Sequence, residues 1–221
     1  MSFVGREKET KNIIKALQQG NNVILTGKFG MGRTRLMRHV ATITQDGWRF
    51  IFVDFSQTPG KVCHDLMATL MPKKRYDKDR KYRRYKSSRF LIANIDNKDN
   101  RKHGIVFDNI ATLTRQKLAF IRCLAWEKRF QFIAIVETFL PENDLFLLRA
   151  ELMPTDVITI SYLPKKDVCT FFYNISNKRG FEWSEVYIKS LFETTSGYPL
   201  GMRECVDREL ERRINTGDLI F

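Results

Sequence analysis

This 221-residue sequence is short of several things, and each shortage narrows the reading. No apolar run comes near the roughly 20 residues a membrane helix needs, and the longest, Phe132 to Val136, is only as long as a strand. The opening residues, Met1 to Lys8, carry charges where a secretory leader carries an apolar stretch. Cysteine is sparse. Cys63, Cys123, Cys169 and Cys205 are scattered, with no CxxC or Cys/His spacing. That excludes a disulfide framework and a zinc finger, and predicts four free thiols in or near a core. His39, His64 and His103 lack carboxylate or cysteine partners at ligand spacing, and no Ser/His or Cys/His pattern suggests nucleophilic catalysis. Internal repeats are absent too. The expectation is a soluble, cytoplasmic protein with no membrane role. At 43% hydrophobic and 29% charged residues, wholesale disorder is excluded, and the length suits one large domain, alone or with a small companion.

Positive charge is plentiful but concentrated. Lys and Arg number 38 against 25 acids, a net +13. Residues 73–102 hold 13 of those cations and four acids, so +9 sits there and only +4 remains for the other 191 residues. The densest part is Lys73, Lys74, Arg75, Tyr76, Asp77, Lys78, Asp79, Arg80, Lys81, Tyr82, Arg83, Arg84, Tyr85 and Lys86. Cations neutralise phosphates and release counterions, and tyrosine rings stack on exposed bases. The expected partner is nucleic acid, DNA ahead of RNA, bound with little sequence specificity. A solvated charged loop is the plainer alternative.

The hydrophobic pattern alternates strands and helices. Strands are predicted at 22–26, 48–55, 104–108, 130–136 and 157–162, and helices at 8–19, 34–42, 62–70 and 114–129. This implies βαβ units and a parallel sheet covered on both faces. After Pro164 the pattern turns wholly helical, at 165–177, 183–194 and 199–213. The fold class is therefore α/β, a parallel β-sheet core flanked by helices over 1–163 with a basic insertion at 73–102, then a small all-helical subdomain over 164–221. Trp48, Trp126 and Trp183 fall on predicted apolar faces and are expected in the core.

Two motifs carry chemistry. After the first strand comes Gly27, Lys28, Phe29, Gly30, Met31, Gly32, Arg33, Thr34. Against G-x-x-x-x-G-K-[ST] it matches at Gly27, Gly32 and Thr34 and departs at Arg33, where lysine is expected. Glycines let backbone N–H groups turn around phosphates, the following helix offers its positive end, and the Thr34 hydroxyl suits Mg2+. Arg33 keeps the charge but is planar and bulkier than lysine. A functional variant, a binder with poor turnover and a relic that binds nothing are all open. The second motif is Ile105, Val106, Phe107, Asp108, Asn109, an apolar strand ending in an acid that can hold Mg2+ through water. Asn109 can orient a water but cannot take its proton.

With these residues in place, the chain resembles the AAA+ and STAND P-loop ATPases, near the archaeal STAND, origin-recognition-like and transposon ATPase-subunit branches. The resemblance implies a P-loop NTPase fold with a helical lid, and ATP or ADP with Mg2+ as cofactors. Phe3, Val4, Gly5, Arg6 and Glu7 are similar to the entry box lying near adenine, with Val4, Gly5 and Arg6 as contacts. Gly27 to Thr34, with Arg35 following, corresponds to the phosphate loop. Asp108 corresponds to the Walker B aspartate, and Asn109 departs from the catalytic acid that usually follows. Glu137 is a possible substitute acid, Thr138 a sensor of the γ-phosphate, and Arg149 a finger acting on a neighbouring subunit. Gly197, Tyr198, Pro199 and Leu200 resemble the lid motif, with Arg203 as a second sensor. The implied protein is an ATP-binding regulator with weak or absent hydrolysis, a homo-oligomer or partner of another protein. The alternative is a catalytically dead scaffold for protein or RNA. No winged-helix domain fits within these residues, so nucleic acid is expected to meet the ATPase module itself or a partner.

Overall fold

In the computed structural model, residues 3–71, 85–95 and 100–216 are described. The positions Lys73, Lys74, Arg75, Tyr76, Arg80, Lys81, Tyr82, Arg83 and Arg84, expected to bind nucleic acid, lie outside them. Tyr85 and Lys86 begin a helix.

Five strands form one parallel sheet: β1 (Asn22–Thr26), β2 (Trp48–Asp54), β3 (Lys102–Ile110), β4 (Gln131–Val136) and β5 (Thr155–Thr159). Their order is β2-β3-β4-β1-β5. Contacts divide the chain into two units. One holds Glu9–Gly27 and Arg33–Thr159; the other holds the residues up to Lys8, Lys28–Gly32 and everything from Ile160 on.

The sheet unit follows from its sequence. β1, β3 and β4 are near-continuous apolar runs because helices cover both faces, so alternation is lost. The helices between strands are α2 (Arg33–Ile43), α3 (Pro59–Leu70), α4 (Tyr85–Ala93), α5 (Arg115–Trp126) and α6 (Glu142–Glu151), while α1 (Glu7–Gln18) precedes β1. Thr58 and Thr114 cap α3 and α5 by accepting the N–H three residues on, and Pro59 at the first turn costs nothing there. On one face of the sheet the Phe55, Phe107 and Phe132 rings succeed one another, with centroids 4.6 and 5.6 Å apart. These three are almost fully buried and anchor the core.

The helical unit contains α7 (Lys165–Arg179), α8 (Glu185–Thr195) and α9 (Pro199–Thr216) around Phe172, Ile175, Ile188 and Met202. Gly197 has φ +78°, and a side chain there would run into the Leu163 backbone carbonyl, which cannot step aside. α7 ends on left-handed Gly180. The carbonyls left open near that end are taken by Arg213, which donates to Gly180 at 3.0 Å and Phe181 at 2.6 Å.

Several expectations change in detail. β5 begins at Thr155 and ends at Thr159, because its partner β1 supplies only the register from Asn22 to Thr26. α4 and α6 were not legible as helices: α6 buries only Leu148 and so shows no clear apolar stripe. Trp126 is not in the core. It is 80% exposed, because α5 stops there and the chain turns through left-handed Lys128 (φ +51°) into β4. Trp48 stacks on Phe50 and Trp183 packs edge-on against Phe172. The cysteines are free, with Cys63 buried and the others half-buried. Among the described residues, no helix is long and apolar enough to cross a membrane.

Candidate functional site

In the sheet unit the functional side chains gather where the strands end. β1 leads through Gly27 toward α2, whose first residues are Arg33 and Thr34. β3 delivers Asp108 beside them. The β3–β4 register shifts between Phe107 and Ile110, and this irregularity is where Asp108 and Asn109 leave the ladder. Thr34 Oγ1 donates to Asp108 Oδ1 at 2.9 Å. Burial pushes the Asp108 carboxyl above the ordinary carboxylate value, with the Thr34 hydroxyl opposing that shift. A hydroxyl and a carboxylate set side by side are hard oxygen donors. Mg2+ is held by one or two such groups plus waters and phosphate oxygens, so Thr34 and Asp108 are a fitting donor set.

Arg33 goes elsewhere. Its side chain, 6% exposed, donates from Nη2 to Glu137 Oε2 at 2.5 Å and from Nη1 to the Val136 carbonyl. Both acceptors lie at the end of β4. The planar fork is thus satisfied by the protein's own carboxylate and carbonyl, where a phosphate-loop cation would meet phosphate. Glu137 is correspondingly engaged as an acceptor. Thr138 beside it is exposed.

Sequence reasoning missed two groups here. Asp54 ends β2 in register with Asp108. Its carboxylate accepts from the Ser56 N–H at 3.0 Å, from Gln57 Nε2 and from Asn109 Nδ2, both at 3.3 Å. These bonds, led by that from Ser56, hold its pKa below the ordinary value. Asn109, at φ +60°, therefore presents its amide to the neighbouring strand's acid. Lys117 is the other. It is buried, donates to the Phe55 carbonyl at 2.7 Å and the Thr112 carbonyl at 3.4 Å, and is lowered in pKa by that burial. It braces the turn that follows Asp54. Apolar patterning hides a lysine on an inward helix face, and strand register is invisible in one sequence.

The remaining loop residues belong to the helical unit. Gly30 has φ +75°, and a side chain there would strike the Tyr198 ring and Leu200. Tyr198 donates its hydroxyl to the Phe29 carbonyl at 3.0 Å. Lys28 lies 5.3 Å over the Tyr162 ring. Met31 is buried, and its carbonyl accepts from Arg6 Nη2 at 3.4 Å. Gly5 and Arg6 are both left-handed, and a side chain at Gly5 would meet Asp167. Val4 packs against the core of this unit. Pro199 opens α9, and Arg203 on it is exposed and paired with Asp207 at 3.3 Å. In the sheet unit, Arg35 is exposed on α2 and Arg149 is exposed in the last turn of α6.

No family model matches the sequence, and no curated protein matches it either. Solved structures do. Cdc6p from Pyrobaculum aerophilum superposes with a TM-score of 0.71 at 15% identity, over 98% of this chain and 65% of that one. The Aeropyrum pernix ORC2 protein, solved as ADPNP-ADP complexes, gives 0.64 at 11% identity, over 96% and 62%. The Thermotoga maritima RuvB Holliday junction branch migration motor gives 0.60 at 13% identity, over 97% and 65%. The fold is that of the AAA+ P-loop ATPases, and the chain spans a little under two thirds of the length of these neighbours.

Proposed function

We propose that the chain binds ATP or ADP with Mg2+ as an AAA+-type regulator with slow or absent hydrolysis, and acts on nucleic acid, DNA ahead of RNA, through its basic segment. The observation that carries this reading is the Thr34–Asp108 contact at the strand ends of an AAA+ fold. The neighbours support it by their own descriptions, one a DNA-junction motor and one bound to ADPNP and ADP. In this reading Gly27 to Gly32 wrap the phosphates, Val4, Gly5 and Arg6 lie near the base, and Mg2+ supplies charge neutralisation beside Thr34 and Asp108. Arg33 is held by Glu137, which supports slow turnover: the cation that would stabilise charge on the transferring phosphoryl group is committed to a carboxylate. Asn109 orients water without accepting its proton. Thr138 and Arg203 sense the γ-phosphate, and Arg149 acts on a neighbouring copy in a cytoplasmic homo-oligomer.

Calorimetry with ATP–Mg2+ tests the core of this. Binding that is lost in Thr34→Ala and Asp108→Asn is the expected result. No heat and no thermal shift with ATP–Mg2+ would overturn it. The engagement of Arg33 by Glu137 also favours a second reading, a scaffold with a closed pocket. That reading requires a flat nucleotide response together with tight, salt-sensitive polyanion binding.

A further inference from the structure

Asp108 is followed by an amide, Asn109, and an amide can meet a water in two ways, accepting through Oδ1 or donating through Nδ2. Which way it faces depends on what holds it. Asn109 Nδ2 donates to Oδ1 of Asp54, the last residue of β2, at 3.3 Å. An ionised carboxylate only accepts, so the nitrogen is the end that can meet Asp54, and the oxygen is left for a water. The backbone is set too. The Asn109 N–H donates to Asp108 Oδ1 at 3.0 Å, and the Phe55 N–H ties the end of β2 to the Asp108 carbonyl at 2.7 Å. A φ of +60° suits asparagine better than most residues. Asp54 is itself fixed by Ser56 and Gln57, and those bonds, led by that from Ser56, keep it ionised. Glu137, the acid at the end of β4, is committed to Arg33.

We propose that Asp54 is a positioning residue for ATP hydrolysis: it holds the Asn109 amide by its nitrogen, so that Asn109 Oδ1 accepts a hydrogen bond from the attacking water. This rests on the nucleotide-binding reading above, and it requires turnover that is slow but real. In the step itself the water oxygen bonds to the γ-phosphorus as the bond to the β–γ bridging oxygen breaks. ADP leaves, one water proton stays on the released phosphate and the other goes to solvent. Asn109 takes no proton; it restricts where the water sits, and an amide suffices to orient a water in phosphoryl transfer. A general base would add roughly 10²–10⁴-fold, so a site that only orients water is slow. Exchanging the acid and the amide between the two positions would keep the same bond with donor and acceptor reversed, which makes the pair testable as a unit.

The test is single-turnover ATP hydrolysis beside calorimetry, using the whole chain. Asp54→Ala is expected to lower the hydrolysis rate about tenfold while ATP–Mg2+ affinity stays within about twofold. Affinity for ADP–Mg2+ with aluminium fluoride, a mimic of the phosphoryl group in transfer, should fall with the rate; a purely structural role would not separate it from ATP affinity. Asp54→Asn should also slow hydrolysis, because an amide there lets Asn109 flip. Asp54→Asn combined with Asn109→Asp restores the bond in reverse and should recover at least the wild-type rate, with circular dichroism showing every variant folded. An unchanged rate in Asp54→Ala, equal loss of rate and ATP affinity, no recovery in the exchange, or ATP binding without measurable hydrolysis would each overturn the role of Asp54, the last with the nucleotide reading intact. No ATP–Mg2+ binding in the unaltered chain would overturn the nucleotide reading itself, and the role of Asp54 with it.

Discussion

Arg33–Glu137 in the sheet unit and Glu209 with Arg212 and Arg213 in the helical unit use the same side chains in different constructions. Glu209 accepts from arginines three and four residues ahead on its own helix, at 2.9 and 2.8 Å. The cluster exists as soon as α9 forms, and Arg213 uses its remaining donors to close the end of α7. Arg33 and Glu137 are 104 residues apart and meet only when the sheet is assembled. The local cluster has one job, holding helices. The distant pair sits where the sequence motif calls for a phosphate contact, so under the proposed function the nucleotide competes for it. A buried ion pair is weak evidence for stability in itself, and its placement decides whether it is structural or displaceable.

The largest test of this contrast is truncation. Glu137→Ala leaves the buried Arg33 uncompensated and should cost about 3–5 kcal/mol in denaturant unfolding. ATP–Mg2+ should recover most of that loss, because phosphate replaces the missing carboxylate. Glu209→Ala should show no such recovery, and equal responses would erase the distinction. Next comes acid. Hydrogen bonds from Arg212, with those from Arg213, pull Glu209 down to about 2 from an ordinary 4.5. Its stabilisation is therefore complete above about pH 4.5 and is lost as pH falls toward 2, by up to about 3 kcal/mol on linkage. Glu209→Gln should flatten that slope in an acid titration followed by circular dichroism.

A smaller effect is expected from Arg33→Lys. A single ammonium cannot bridge both the Val136 carbonyl and Glu137 as the fork does, so phosphate gains a cation and ATP turnover should rise about tenfold, roughly 1.4 kcal/mol. Adding Asn109→Glu should raise it further but lower the melting temperature, since a left-handed glutamate costs roughly 1 kcal/mol. The smallest is Arg203→Ala. Its exposed pair with Asp207 should be worth under about 0.5 kcal/mol, so any change in ATP affinity reports sensing and not folding.

The parallel sheet was legible because strands buried on both faces appear as unbroken apolar runs such as Phe132 to Val136. The loop from Gly27 to Thr34 stood out because its glycines sit at fixed spacing. Thr34 and Asp108 could be paired by motif, and they meet. The destination of Arg33 could not, since a side chain's partner 104 residues away leaves no local signal. Asp54 escaped for the same reason: only the β2–β3 register sets it beside Asp108. Trp126 misled because helical spacing places it near the apolar stripe, while the helix end takes it off that surface.

The strand order has a consequence for synthesis. Among the described residues β1 pairs only with β4 and β5, so the strand that follows α1 has no neighbour to bond until Gln131–Val136 has been made, and its second neighbour comes only with Thr155–Thr159. At about 5–20 residues per second, the roughly 110 residues between the end of β1 and the end of β4 take on the order of 6 to 22 s to translate. For that interval the first strand of the nascent chain is an unpaired apolar segment, and the last strand to emerge completes the oldest part of the molecule.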